Sequence, residues 1–184
     1  MEVTKTPLEG LLLVRPRLFK DERGWFLESY NRSAFQAAGI QEAFVQDNHS
    51  ASVRGTLRGL HFQTHPGQAK LIRCTEGRIW DAAVDIRPSS ATFGRHFGVE
   101  LTAGDPWQLF IPVGFAHGFL VLSESAQVQY KCSNLYNAST ESGIQWDDPE
   151  LAVAWPLEGL VPVISDRDQK NQSFADYRRK ILDA

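Results

Sequence analysis

Thirteen residues of this chain hold a guanidinium, an imidazole and an ammonium: Arg58-Gly59-Leu60-His61-Phe62-Gln63, then Lys70. Histidine is the side chain whose ordinary pKa, about 6.5, suits proton transfer near neutrality. A base beside two cations can make an anion by removing a proton and then hold the charge it has made. The stretch reads as β-strand, so alternation sends Arg58 and Leu60 to one face and Gly59 and His61 to the other. A twist or bulge near Gly59 brings Arg58 and His61 toward one cavity. The competing structural reading makes His61 a packed strand histidine and Arg58 and Lys70 solvated surface cations. Long cations on inward strand faces, however, call for an anionic partner.

Further segments carry chemistry. In Pro112-Val113-Gly114-Phe115-Ala116-His117-Gly118-Phe119, proline and glycine turn the chain and a histidine enters a strand. This PxGxxH pattern resembles the second motif of cupin barrels. Metal-binding cupins add an HxH and a later glutamate, whereas here three residues separate His61 from His65 and Glu76 precedes a turn glycine. One or two neutral imidazoles without a placed carboxylate make a poor transition-metal site, so no metal is expected. Tyr130, in Tyr130-Lys131-Cys132, is a core tyrosine on the structural reading and a proton donor if it faces a cation-lined cavity. In Ser165-Asp166-Arg167-Asp168, a carboxylate either serves the turn before the last helix or folds back to hold an imidazole N–H. Arg23 sits in a turn of the segment Asp21–Glu28, and Gln46-Asp47-Asn48 lies on another strand. Phe19, Phe26, Gln46 and Asn48 supply a stacking face and amide partners for a nucleobase, while Arg23 and Arg58 suit phosphate.

Strands must position these groups. Apolar, β-branched or aromatic runs recur at Leu11–Val14, Trp25–Tyr30, Ala43–Val45, Leu71–Cys74, Arg78–Ile86, His96–Leu101, Trp107–Ile111, His117–Leu122 and Gln127–Cys132. Thr75-Glu76-Gly77-Arg78 reads as a hairpin turn between two of them. Many short strands without long intervening helices predict an antiparallel sandwich or jelly-roll barrel. Two helices are expected. Asn31 caps a short one running to Ala38 and stopped by Gly39, and Phe174, Tyr177 and Ile181 fall at helical spacing in a second over Ser173–Leu182. One β domain over residues 1–184 is the reading.

Composition bounds the function. With 184 residues, 42% apolar and 22% charged, the chain can bury a sizeable core. A net charge of −3 gives no global field for nucleic acid, so functional cations must act locally. Cys74 and Cys132 have no CxxC spacing and read as two packed thiols. No signal pattern or long apolar run is evident, and a cytoplasmic protein without a membrane span is expected.

These segments, in order, resemble the dTDP-4-dehydrorhamnose 3,5-epimerase family over nearly the whole chain. The markers are DxRGxFxE (Asp21–Glu28), QxNxSxS (Gln46–Ser52), RGLHFQ (Arg58–Gln63), Lys70, VDIRxxSxTFG (Val84–Gly94), IPxGFAHGF (Ile111–Phe119), YKC (Tyr130–Cys132) and SxRD (Ser165–Asp168). The resemblance implies an all-β, cupin-like jelly roll with short N-terminal and C-terminal helices, acting as a homodimer without a metal or other cofactor. It implies His61 as general base with Asp168 orienting it, Lys70 on the enolate oxygen, and Tyr130 as the acid on the opposite face. Arg23, Glu28, Gln46, Asn48, Arg58, His117 and Glu141 align with nucleotide-sugar contacts, and Tyr136 lines the site. Arg167 stands where many relatives carry lysine, and Arg23 comes from the neighbouring subunit in some of them. The expected substrate is a dTDP-linked 4-keto-6-deoxy sugar inverted at C3 and C5. Inversion at C3 or C5 alone is the nearest alternative. A metal-dependent cupin oxygenase and a non-catalytic sugar-binding cupin are the alternatives of other classes.

Overall fold

The computed structural model describes residues 1–182, so the last two positions of the expected domain, 183–184, lie outside the described residues. The strands are β1 (Glu2–Lys5), β2 (Leu12–Arg15), β3 (Leu18–Asp21), β4 (Gly24–Leu27), β5 (Gln46–Val53), β6 (Leu57–Gln63) and β7 (Lys70–Glu76). They continue as β8 (Arg78–Asp85), β9 (His96–Thr102), β10 (Gln108–Ile111), β11 (Phe115–Val121), β12 (Ser125–Cys132) and β13 (Glu141–Gly143). Helix α1 spans Arg32–Ala37, a 3₁₀ turn spans Asp168–Lys170, and helix α2 spans Phe174–Leu182. A six-stranded sheet runs β1-β2-β10-β7-β12-β5, a five-stranded sheet runs β13-β6-β11-β8-β9, and β3 and β4 form a separate hairpin. Every ladder is antiparallel. This is the expected all-β, cupin-like jelly roll.

Alternation along the strands divides the apolar residues into three layers. Leu109, Ile111, Ile72, Cys74, Ala126 and Val128 of the larger sheet meet Ile79, Ala83, Leu101, Phe119 and Val121 of the smaller one. That contact is the sandwich interior. Leu57, Leu60, Phe62, Ala82, Val84 and Leu120 point the other way and pack under the C-terminal segment, including Trp155, Phe174 and Tyr177. Phe35 of α1 and Ile40 cover Val14, Leu71 and Phe110 on the outer face of the larger sheet. Burial of apolar area at roughly 25 cal/mol per Å² makes all three layers stabilising.

Both expected helices form. Asn31 Oδ1 accepts the Ala34 amide at 3.1 Å, and Gly39 leaves α1 at φ +94°. Ser173 Oγ accepts the Asp176 amide at 3.1 Å and so caps α2. Three expectations are corrected. Ala43–Val45 is not a strand; Phe44 instead packs edge-on against Tyr30 beside α1, and the polar run Gln46–Val53 takes the strand position. Trp25–Tyr30 is strand only to Leu27. Thr75–Arg78 joins no hairpin, because β7 pairs with β10 and β12 whereas β8 pairs with β9 and β11. Gly77, at φ +73°, turns the chain from one sheet to the other. A corner between sheets and a hairpin turn use the same glycine chemistry, and only the tertiary partners separate them.

Candidate active site

The β6 segment changes phase at Gly59. Opposite β11, His61 aligns with His117 and Arg58 with Phe119, so β6 spends one residue more than β11 between these pairs. Before the bulge the odd-numbered Leu57 faces outward; after it the even-numbered Leu60 and Phe62 do. Arg58 and His61 therefore share the inward face. Gly59 sits at φ +113°, and a Cβ there would stand 2.5 Å from the His117 carbonyl oxygen, so only glycine fits.

Asp168, in the 3₁₀ turn, closes over this bulge. Its Oδ1 lies 2.6 Å from His61 Nε2, and its Oδ2 accepts the Gly59 amide at 3.2 Å. Ser165 Oγ accepts the Asp168 amide at 3.1 Å and sets the turn. Burial alone would raise the Asp168 carboxyl, but His61, the Gly59 amide and the Arg167 charge hold it below its usual value. An ionised Asp168 accepts from Nε2–H, which leaves His61 Nδ1 with its lone pair.

On the neighbouring strand, His117 shares the inward face with Phe119 and Val121. Both oxygens of Asp81 lie 3.0 Å from His117 Nε2, and both side chains are buried. Burial pushes the His117 imidazole down, and the charges of Lys70 and His61 oppose the upward pull of Asp81. His117 is thus a neutral ring with its tautomer set by a buried carboxylate.

The larger sheet provides the opposite wall. Lys70 on β7 and Tyr130 and Cys132 on β12 follow the inward-facing Ile72 and Val128 at period two, and Lys70 pairs in register with Cys132. On β5, Tyr130 and Cys132 align with Asn48 and Gln46. Gln46 Nε2 donates to Asn48 Oδ1 at 3.0 Å, and Gln46 Oε1 accepts the Tyr136 amide at 2.8 Å. Burial raises the Tyr130 phenol, which therefore carries its proton at neutrality. Burial also lowers the Lys70 ammonium, while Cys132, Glu141 and Asp81 pull it back up. Among the described residues no carboxylate lies within ion-pair distance of Lys70.

The open end carries the remaining groups. Glu141 on β13 pairs with Arg167 at 2.5 Å, and Arg58 Nε donates to Ser52 Oγ at 3.1 Å. Burial would raise Glu141, but Tyr136 and Arg167 hold it low. His61, Lys70, Tyr130 and Asp168 thus gather with Gln46, Asn48, Arg58, His117, Tyr136, Glu141 and Arg167 at one end of the sandwich. Phe19, Arg23 and Phe26 sit instead on the separate β3–β4 hairpin, and Glu28 directly follows its second strand. Phe19 and Phe26 are cross-strand partners on the β3–β4 hairpin, where Phe26 is 68% exposed, and Arg23 pairs with Asp21 at the turn. Asp81 escaped the sequence reading, although an acid between Trp80 and Ala82 in an apolar strand is a usable signal. Ser52, the partner of Arg58, closes the QxNxSxS marker but was given no role of its own.

The arrangement presents an imidazole on one wall, a phenol on the other, and an ammonium with no ion-pair partner among the described residues in the same interior. The sequence model of the family described as dTDP-4-dehydrorhamnose 3,5-epimerase matches residues 5–176. A curated protein of that name from Shigella flexneri is 49% identical over 178 residues, covering 96% of this chain and 97% of that one. The crystal structure of dTDP-6-deoxy-D-glucose-3,5-epimerase from Legionella pneumophila, in complex with dTDP-4-keto-L-rhamnose, superposes with a TM-score of 0.91 at 42% identity. It covers 94% of this chain and 92% of the other. A 3'-monoepimerase from Streptomyces bikiniensis, in complex with dTDP-quinovose, reaches a TM-score of 0.90 at 33% identity, covering 96% and 90%.

Proposed function

Because the chain belongs to the dTDP-4-dehydrorhamnose 3,5-epimerase family, we infer that it inverts C3 and C5 of dTDP-4-dehydro-6-deoxy-D-glucose. The product is dTDP-4-dehydro-L-rhamnose, the precursor in dTDP-L-rhamnose biosynthesis. The observation that carries this reading is the placement of His61 and Tyr130 on opposite sheets of one interior.

The C–H bonds at C3 and C5 are both acidified by the C4 carbonyl. His61 Nδ1 takes the proton, and Asp168 holds the imidazolium that results. The electron pair moves onto the C4 oxygen as an enolate, which the Lys70 ammonium meets. Tyr130 then gives its proton to the same carbon from the other side of the ring, and solvent restores both groups. Arg58 takes phosphate, and Gln46, Asn48 and Tyr136 take the nucleoside end. The 2.6 Å contact of His61 with Asp168 and the unpaired state of Lys70 support these assignments. Each general acid–base role contributes roughly 10²- to 10⁴-fold.

The hairpin residues belong to the same scheme through a second copy of the chain. Phe19, Arg23 and Phe26 lie on the separate β3–β4 hairpin with Glu28 just after it, and Trp25 and Phe26 are 61% and 68% exposed. A homodimer that lends each hairpin to the other subunit supplies the arginine and the aromatic face that one chain's site lacks. The enzyme works in the cytoplasm on this reading, consistent with its two unpaired cysteines, and no helix among the described residues is long and apolar enough to cross a membrane.

Incubation with dTDP-4-dehydro-6-deoxy-D-glucose in deuterated water tests the function. The expected result is deuterium at both C3 and C5 of the inverted product. Label at one carbon alone makes the protein a single-centre epimerase, and no label overturns the reading.

A further inference from the structure

Tyr136 stands on the irregular loop between β12 and β13 and is 53% exposed, so packing alone leaves its ring loosely held. Such a group makes a good pocket wall only where its backbone is already fixed, because ordering it at the moment of binding costs affinity. Two glutamines fix it. Gln63 is buried at the end of β6, two positions beyond His61 and on the same face of the strand. Its Nε2 donates to the Pro66 carbonyl at 3.1 Å and to the Leu135 carbonyl at 3.3 Å, and its Oε1 accepts the Asn137 amide at 3.0 Å. Two carbonyls call for the NH₂ group and one amide calls for the oxygen, so the partners set the orientation of this side chain. From the other sheet, Gln46 Oε1 accepts the Tyr136 amide at 2.8 Å. Both peptide groups that flank the Tyr136 Cα are therefore held, the first from both sheets and the second from β6.

We propose that Gln63 is a positioning residue that fixes Tyr136 relative to His61, so that this wall of the sugar pocket is formed before substrate arrives. The base of the loop is held separately. The Ala69 amide donates to Ser133 Oγ at 2.9 Å, the Ser133 amide to the Ala69 carbonyl at 3.0 Å, and Gln68 Nε2 to the Asn134 carbonyl at 2.8 Å. Loss of the Gln63 amide thus frees the Tyr136 tip and leaves Lys70, which follows Ala69, in place. This inference rests on the place of Tyr136 in the substrate site assigned above.

The test is a double-mutant cycle on kcat/KM with dTDP-4-dehydro-6-deoxy-D-glucose, using Gln63→Met, Tyr136→Ala and the two together. Methionine keeps the length of glutamine and removes its three bonds. Alone, Gln63→Met is expected to lower kcat/KM by about tenfold or more, whereas in the Tyr136→Ala background it should cost less than about twofold. A glutamine that serves stability alone gives the same factor in both backgrounds. That result overturns the proposal, as does an unchanged kcat/KM in Gln63→Met. If Gln63→Met does not fold, hydrogen exchange of the wild-type amides carries the test. Those of Tyr136 and Asn137 are expected to exchange about tenfold or more slower than that of Ala138, which makes no hydrogen bond among the described residues. Equal rates overturn the clamp. The exchange is read without substrate, so it stands apart from the deuterium experiment, whose failure would remove the function and not the clamp.

Discussion

The His61 imidazole and the Asp168 carboxylate meet at 2.6 Å although 107 positions separate them in the chain. The second oxygen of the same carboxylate accepts the amide of Gly59, inside the bulge that turns His61 inward. One carboxylate thus fixes both the ring and the backbone that aims it. Asp168→Asn is expected to lower kcat by about 10²- to 10⁴-fold with little change in KM, since it spoils the tautomer and leaves the binding groups in place. Steady-state kinetics on the dTDP-4-keto sugar decide this, and an unaffected kcat would remove Asp168 from the mechanism.

Gly59→Ala tests the bulge. A side chain at φ +113°, with its Cβ 2.5 Å from the His117 carbonyl oxygen, forces β6 and β11 apart. The expected cost is about 1–3 kcal/mol in urea unfolding, with activity lost beyond the loss of folded protein.

Tyr130→Phe separates proton removal from proton return. His61 and Lys70 remain, so the sugar still loses its proton and exchanges with deuterated solvent. Inverted product should fall by about 10²- to 10⁴-fold. A variant that inverts at the wild-type rate would assign the acid to another residue, with Tyr136 the first candidate because it joins Glu141 and Arg167.

The VDIRxxSxTFG segment has a structural role. The buried Asp85 carboxylate accepts from Arg87, Ser90 and Thr92, at 2.6 Å for each of its Oδ2 bonds. Burial would raise this carboxyl, but those donors lower it from 3.8 to about 2. Its folded pKa is therefore depressed, and its contribution to stability is complete above pH 4 and is lost as pH falls through about 2. That contribution is about 2 kcal/mol. Asp85→Asn should be less stable by about that amount at pH 6 and should converge with wild type as pH falls below about 2, measured by denaturant unfolding across that range.

Shared sites predict complementation. Arg23→Ala and His61→Ala are each expected to be inactive alone. Mixed, dissociated and reassembled at random, they should regain about a quarter of wild-type activity, since half the dimers are mixed and each holds one intact site. No recovery would place Arg23 outside the partner's site.

Much of this protein was legible in order along its sequence. Asn31, Gly39 and Ser173 mark the helix ends because caps are local chemistry. The strand runs at Leu71–Cys74, Arg78–Ile86 and Gln127–Cys132 are readable because apolar alternation is local as well. RGLHFQ, Lys70, YKC and SxRD supplied the candidates for proton transfer, since only a few side chains move protons near neutrality. The sequence also contained the condition for the site, a bulge at Gly59, without stating that it occurs.

Tertiary structure decided what pairs with what. Strands β7 and β8 look like a hairpin but part into different sheets, because pairing energy depends on distant partners that a turn does not reveal. Asp168 holds His61, and Asp81 holds His117. A carboxylate's neighbours across 107 or 36 positions are set by sheet register, not by spacing. The same limit explains the hairpin: Phe19, Arg23 and Phe26 read as site residues, yet they lie on the separate β3–β4 hairpin. Residue type declares what a side chain can do, whereas the register of the two sheets determines which groups share the buried interior, where burial and charge tune one another.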